Sequence, residues 1–453
     1  MDKKNIPQKG AREAALRALV RVEEDGAYLN LVLPSLLQNA SPAERALAVQ
    51  IATGTIQRLN TIDWVISLYS RRNLDTYTPW LRNLLRLSVY QIMYLDRVPH
   101  YALVDEAVRL ARRFGHRGVA GLANALLRRI AAESTSLPWP DSAVNSSEYL
   151  SLKQSQPLWL IDRLISRLGL AEAESWCLAS NQKPLISIRP NLLRIDSAAL
   201  IVKLQSEGLE ASASPVVPAM LRLAEGASPA AAKSFREGLF TIQGESSALV
   251  APLLAPRPGD LVIDLCSAPG GKTTHLAELI GDSGRIYACD LHQSRLHLVE
   301  KAASRLGLQN ITTVAVDGRN PCAQNLPPAD AILVDAPCSG LGVIRRLPEI
   351  KWRRNEEDLL RMQALQIELL TSAARLLKPG GKLLYSVCTT EPEETEAVVA
   401  AFNMAHQQFI AEELLSRLPL SLQSDQDSSE TIKLWPQRHD LDGFFIALWR
   451  KMA

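Results

Sequence analysis

From about residue 246 the sequence alternates short apolar runs with helical patterns, and four successive runs lead into an aspartate. The runs are Leu261–Cys266, Arg285–Asp290, Ile311–Val316, Ala331–Asp335, Lys382–Val387 and Gly443–Leu448. Helical patterns fall near 272–280, 293–307, 357–377 and 394–404. Such alternation predicts a doubly wound, mainly parallel, Rossmann-like α/β sheet. In open sheets of this kind ligands bind beside the carboxyl ends of the strands.

The first run passes Asp264 and turns through Cys266-Ser267-Ala268-Pro269-Gly270-Gly271 into a helix near Lys272. Gly270 and Gly271 allow close backbone approach and positive φ. The spacing is neither that of a P-loop nor the full dinucleotide fingerprint. A lone glycine turn is weak, and the acids that follow strengthen it. Asp290 ends the second run, where a carboxylate can accept hydrogen bonds from two ribose hydroxyls. Asp317 follows the third, where it can meet an adenine edge, and Asp335 ends the fourth. One strand-end aspartate is ordinarily a cap or turn residue. Four in register fit a pocket for an adenosine-bearing ligand. With no dehydrogenase motif beside them, S-adenosylmethionine is the natural candidate. Its binding set would be Cys266 to Lys272 with Asp290, Asp317 and Asp335. Lys272 is open between the cofactor carboxylate, an RNA phosphate and simple solvation of the helix start.

The rest of the chain divides in three. Residues 1–137 read as all-helical, with patterns at 11–24, 43–57, 61–70, 78–95, 101–114 and 118–132. A Pro- and Ser-rich stretch, 138–147, reads as a linker. Residues 148–245 mix helices at Leu158–Leu168, Ala171–Ser180 and Ser197–Glu207 with strands at Leu185–Arg189, Ala219–Leu223 and Leu239–Gln243, a small α+β domain. The catalytic domain then occupies 246–453, with a solvated loop at Ser421–Glu430.

No run of about 18 uncharged apolar residues occurs, which argues against a membrane-spanning helix. The stretch Met1–Gly10 has lysines with no apolar segment after them, unlike a secretory leader. Six cysteines in 453 residues, without a C-x-x-C pair, speak against a disulfide scaffold or zinc ribbon. The expectation is a cytoplasmic protein with reduced thiols, no metal, and nothing that demands more than a monomer.

The net charge of +2 hides an asymmetry. Residues 1–150 carry 19 lysines and arginines against 14 acids. Between Ala107 and Ile130 lie Arg109, Arg112, Arg113, Arg117, Arg128 and Arg129 with no acid. They form either a solvated helix face or a surface that contacts RNA phosphates. A second cationic stretch, Val343–Arg354, holds Arg345, Arg346, Lys351, Arg353 and Arg354 around Trp352. It is read as an RNA grip beside the active site, with a surface helix cap as the alternative.

Two cysteines follow the fourth and fifth strands: Cys338 in Asp335-Ala336-Pro337-Cys338, and Cys388 in Tyr385-Ser386-Val387-Cys388-Thr389-Thr390. These strands should be neighbours, so both thiols would face one cleft. Cys177, Cys289 and Cys322 are read as small buried hydrophobes.

DAPCSG and YSVCTTEPEE, with DLCSAPGGKTTH upstream, resemble the RNA cytosine-C5 methyltransferases of the NOL1/NOP2/Sun group. The helical N-terminus, through Val98–Val108 and Gly121–Arg129, resembles a NusB-like RNA-binding domain. The resemblance covers essentially the whole chain, including Asp442-Gly443-Phe444-Phe445. It departs at Val387, where the family often has a small residue such as Thr, and at Gly244, where it often has Asp. The resemblance implies a 16S rRNA substrate and S-adenosylmethionine as methyl donor. It implies Cys388 as nucleophile, Asp335 on the cytosine edge and Cys338 in product release. The competing expectations are the same chemistry on tRNA, an exocyclic-amino methyltransferase, and an RNA-binding assembly factor without catalysis. The thiol pair argues against the last two.

Overall fold

The computed structural model describes residues 10–96 and 98–453, with the side chains of 322 and 323 excepted. The N-terminal stretch examined for a leader, and the Cys322 thiol, therefore lie outside the described residues. The chain forms two compact units. One runs up to Gln182 and takes in Ile344–Arg353; the other holds Lys183–Val343 and Arg354–Ala453. Among the described residues no helix is long and apolar enough to cross a membrane.

The first unit is helical. Six expected helices are present, as Gly10–Glu24, Pro42–Gln57, Leu59–Tyr69, Pro79–Tyr94, His100–Phe114 and Arg117–Glu133. A seventh, Leu29–Leu36, escaped the periodicity reading because Pro34 lies inside it. Starts are chemically marked. Ser41 accepts from the Glu44 backbone while the Glu44 side chain returns to the Ser41 backbone, a capping box. Gly54 is small for a reason: a Cβ there would lie 2.1 Å from the Tyr90 ring. Glu13 is fully buried and is neutralised at 2.9 Å by both Arg17 and Arg113.

The helices Ser146–Gln154, Leu158–Leu168 and Leu170–Asn181 belong to this unit, whereas the sequence grouped them with the small α+β domain. Hydrogen bonds explain the difference. Thr61 Oγ1 donates to Leu152 O at 2.5 Å, Asn60 Nδ2 to Ser151 Oγ at 3.1 Å, and Gln57 Nε2 to Asn181 O at 2.9 Å. The expected linker is packed as well: Trp139 lies 4.7 Å from Trp64, centroid to centroid.

The second unit holds two sheets. Strands β1 (Ser187–Pro190), β2 (Ala211–Ala213), β3 (Leu221–Leu223) and β4 (Phe240–Ile242) form a small sheet in the order β2-β3-β1-β4 with antiparallel pairs. The large sheet contains β5 (Leu261–Asp264), β6 (Arg285–Asp290), β7 (Ile311–Ala315), β8 (Ala329–Asp335), β9 (Leu377–Val387), β10 (Phe409–Ala411), β11 (Thr431–Leu434) and β12 (Phe444–Lys451). Its order is β10-β12-β9-β8-β5-β6-β7, with β11 also on β12. The five strands from β9 to β7 are parallel, and β10, β11 and β12 pair antiparallel. The mainly parallel sheet is as expected, while the short β2, β10 and β11 have too few residues to show a pattern. The apolar runs are buried as a parallel sheet requires, with Ile263, Ile332, Val334, Leu383 and Tyr385 wholly inaccessible.

Candidate active site

Parallel pairing brings the carboxyl ends of β5, β6, β8 and β9 to one rim, which is what gathers residues scattered over more than a hundred positions. Asp264 lies at the end of β5, almost wholly buried. Burial pushes its carboxyl up to about 7, although Thr273 Oγ1 donates to it at 2.7 Å. The other Asp264 oxygen and the Ser267 hydroxyl are buried without hydrogen-bond partners. Just after them the chain turns through Gly270, whose φ of 106° is strained for any other residue and whose Cβ would sit a tight 3.1 Å from Val299 Cα. The helix Gly271–Ile280 follows. A glycine turn lined by orphaned polar atoms has hydrogen-bonding capacity left for a polar group.

Asp290, at the end of β6, accepts from the His292 backbone at 3.0 Å and pairs with Arg295 at 3.1 Å. Arg295 also donates to Ala268 O in the turn, at 2.9 Å. Asp317 lies two residues past β7 and chelates the Arg319 guanidinium, which holds its carboxyl below the usual range. Cys266 and Cys289 are thiols pushed up by burial, Cys289 to about 12. Cys177 behaves likewise in the helical unit. Cys177 and Cys289 are wholly buried packing groups, as expected.

At β8 and β9 the register pairs Asp335 with Ser386. Ser386 Oγ donates to Asp335 at 2.7 Å, and Lys272 Nζ bonds its other oxygen, also at 2.7 Å. Lys272 lies 5.3 Å from the Phe444 ring centroid. Lys272 is thus partly buried and paired with Asp335 rather than merely solvating the helix start. One step beyond, Cys338 Sγ and Cys388 Sγ are 3.3 Å apart, so the neighbouring strands do bring the two thiols together. The contact with Cys388, then burial, holds the Cys338 thiol well above its ordinary range. Gly342 N donates to Cys388 O at 3.0 Å and Gly443 N to Gly342 O at 2.8 Å. A Cβ on Gly342 would fall 2.1 Å from Gly443 O. The glycine of Asp442-Gly443-Phe444-Phe445 therefore lets the backbone close on the loop beside Cys388. Ser386 and Arg295 were missed in the sequence. Ser386 sits inside the Cys388 motif, and only strand register discloses its partner.

The cationic residues divide. Arg112 and Arg128 are exposed, Arg128 bonding Asn124 Oδ1 at 3.0 Å. Arg109 is exposed and pairs with Glu106, and Arg129 with Glu133 at 3.3 Å. Arg113 is a correction: its guanidinium neutralises buried Glu13 inside the helical unit.

Lys351 is a larger correction. It is fully buried, and its ammonium donates to Ser155 O at 2.6 Å and Gln57 O at 3.0 Å. Burial, then Arg58, pushes its pKa well down. Trp352 Nε1 donates to Ile56 O at 2.7 Å, and Arg353 to Ala27 O at 2.6 Å and Gly26 O at 2.9 Å. Arg345 is buried and Arg346 half-buried. Lys351, Trp352 and Arg353 are thus engaged by backbone carbonyls within the helical unit. They satisfy carbonyls at or just beyond the ends of three helices, where donors and positive charge are stabilising.

A family model described as 16S rRNA methyltransferase RsmB/F matches residues 251–450. A NusB family model matches 9–132, and a ferredoxin-like domain model of RsmF/B-like methyltransferases matches 156–229. A probable ribosomal RNA small subunit methyltransferase B of Bacillus subtilis is 35% identical, covering 97% of this chain and 98% of its own. The solved structure of PH0851 superposes with a TM-score of 0.84 at 31% identity, covering 98% of this chain and 100% of its own. NSun6 from Pyrococcus horikoshii, solved with SFG, superposes with a TM-score of 0.58 at 26% identity, covering 66% of this chain and 98% of its own.

Proposed function

The chain belongs to the 16S rRNA methyltransferase RsmB/F family and is an RNA methyltransferase, and from that premise we infer that it methylates C5 of a cytosine in 16S rRNA through a covalent bond to Cys388. The observation that carries the chemistry is the pair of thiols 3.3 Å apart beside Asp335. A base-modifying transferase working on an exocyclic nitrogen needs no such pair.

S-adenosylmethionine, when bound, supplies an electrophilic methyl group on a sulfonium. The glycine turn from Cys266 to Lys272, the orphaned Ser267 hydroxyl and the Asp290 carboxylate fit it, and SFG, found on NSun6, is an analogue of it. Asp317 would take part at the adenine end. The target cytosine must leave its stack to reach a cleft thiol. C5 is a poor nucleophile until the Cys388 thiolate adds to C6, which makes the ring enamine-like and places electron density on C5. Asp335, oriented by Lys272 and Ser386, meets the N3/N4 edge and stabilises the charge that develops on the ring. After C5 is methylated a base takes the C5 proton, that electron pair re-forms the C5–C6 double bond, and Cys388 leaves C6 as the thiolate. Cys338, its sulfur 3.3 Å from that of Cys388, takes its part in this release. Arg109, Arg112, Arg128 and Arg129 of the helical unit would contact phosphates of the RNA.

The test is methyl transfer from labelled S-adenosylmethionine to protein-free 16S rRNA, with 5-methylcytosine mapped. Cys388→Ala should lose transfer by at least a thousandfold, as removal of a covalent nucleophile does. Cys338→Ala should leave a protein–RNA adduct stable to denaturation. Full activity in Cys388→Ala would overturn the covalent mechanism, and transfer to tRNA alone would overturn the substrate.

A further inference from the structure

The loop bearing Cys338 is held on both sides of the thiol by side chains that the mechanism above does not use. Glu394 is fully buried at the end of a short turn that follows Cys388. Its Oε2 accepts from Ser339 N at 2.8 Å and from Gln366 Nε2 at 3.0 Å. Gln366, equally buried in the helix Glu356–Leu376, also donates to Pro337 O at 2.9 Å. The residues before and after Cys338 are therefore joined through Gln366 and Glu394. Ser339 Oγ donates to Thr389 Oγ1 at 3.1 Å, tying the residue after Cys338 to the residue after Cys388. Arg354 donates to Ser339 O at 2.9 Å, and Tyr385, on β9, anchors the Glu394 carbonyl at 2.7 Å.

A buried carboxylate without a cationic partner is costly to keep, and burial raises the Glu394 pKa although hydrogen bonds from Ser339 and Gln366 oppose it. Its contacts show what it is kept for. Its carboxylate reaches Ser339 directly and Pro337 through Gln366, whereas the end of β9 before Cys388 is held by β8 and β12 on either side, and Tyr385 there meets the Glu394 backbone carbonyl rather than the carboxylate. We propose that Glu394 and Gln366 are positioning residues that hold the Cys338 thiol against Cys388 and so govern release of the methylated base rather than the initial attack. The proposal rests on the reading that Cys388 attacks and Cys338 acts in release.

The experiment uses the full chain with labelled S-adenosylmethionine and 16S rRNA. It compares wild type, Gln366→Met, Glu394→Gln and Cys338→Ala. Adduct formation and decay are followed on denaturing gels, and amide hydrogen exchange is read over residues 337–341. Gln366→Met removes the bridge at nearly constant volume. It should form adduct within about twofold of wild type and release it at least about tenfold more slowly, as loss of hydrogen bonds to a charged group implies. Exchange at Ser339 should rise with it. Glu394→Gln keeps an acceptor oxygen and should release faster than Gln366→Met. A Gln366→Met protein that releases at the wild-type rate, or that slows formation and decay alike, overturns the proposal while a trapped Cys338→Ala adduct leaves the thiol reading intact. If Cys338→Ala traps no adduct, the thiol reading itself fails and the clamp's role in release fails with it.

Discussion

Lys351 and Arg112 are both basic residues of the helical unit, one sealed among carbonyls and the other projecting into solvent. The difference is not one of residue type. Arg112 is on the outer face of an amphipathic helix, His100–Phe114, whose inner face is Leu103, Val104, Ala107, Leu110 and Ala111. Lys351 comes from a segment whose polar atoms replace water at the ends of helices. Uncompensated carbonyls at a buried helix end cost as much as lost hydrogen bonds. A long side chain with three donors offsets that cost and is then unavailable to RNA. Cationic residues in a sequence count charge; only their surroundings decide whether a phosphate can reach them.

The comparison can be broken most directly at Lys351. Lys351→Ala leaves two buried carbonyls without their donor and opens a cavity. It should lower stability by about 3–5 kcal/mol in urea unfolding of the full chain. Unchanged stability, together with weaker RNA binding and a shallower salt dependence, would restore the RNA reading of this segment.

A buried charge in the other unit sharpens the same rule through pH. The folded protein holds the Asp264 proton more tightly than the unfolded chain does, up to about 7 against an ordinary 3.8. Its contribution thus favours the folded state below about pH 4 and is lost as pH rises towards 7. Asp264→Asn, which keeps an acceptor for Thr273, should match wild type near pH 4 and exceed it by up to about 4 kcal/mol above pH 7. Urea midpoints across that range decide it, and a constant difference would show that Asp264 is ionised throughout.

The smallest effect is expected on the exposed side. Arg112→Ala and Arg128→Ala should each change stability by no more than about 0.5 kcal/mol. Each should reduce the slope of log affinity against log salt for 16S rRNA by about one. A slope unmoved by both changes would make this face a solvated one.

Much of the catalytic domain was legible because its signals are local. A glycine turn, strand-end aspartates and two cysteine motifs occupy short windows, and the boundaries of β6 and of the helix Leu158–Leu168 match their patterns to the residue. Long-range signals were not legible in this way. Nothing in Ser146–Asn181 announces that it packs with the first helices, since the deciding bonds from Asn60, Thr61 and Gln57 span about a hundred positions. Arg113 looked like a member of an arginine cluster because its partner, Glu13, is a hundred residues upstream.

By itself the sequence determined the α/β alternation, the helical N-terminal region, and which side chains could do covalent chemistry on a base, for these depend on residue type and spacing within a few turns or strands. Tertiary structure alone decided that Asp335 is held by Lys272 and Ser386, that two thiols fifty residues apart come within 3.3 Å, and that Lys351 serves the fold. Each of those depends on strand register or on a distant carbonyl, and a polar side chain takes its role from the partner it meets in space.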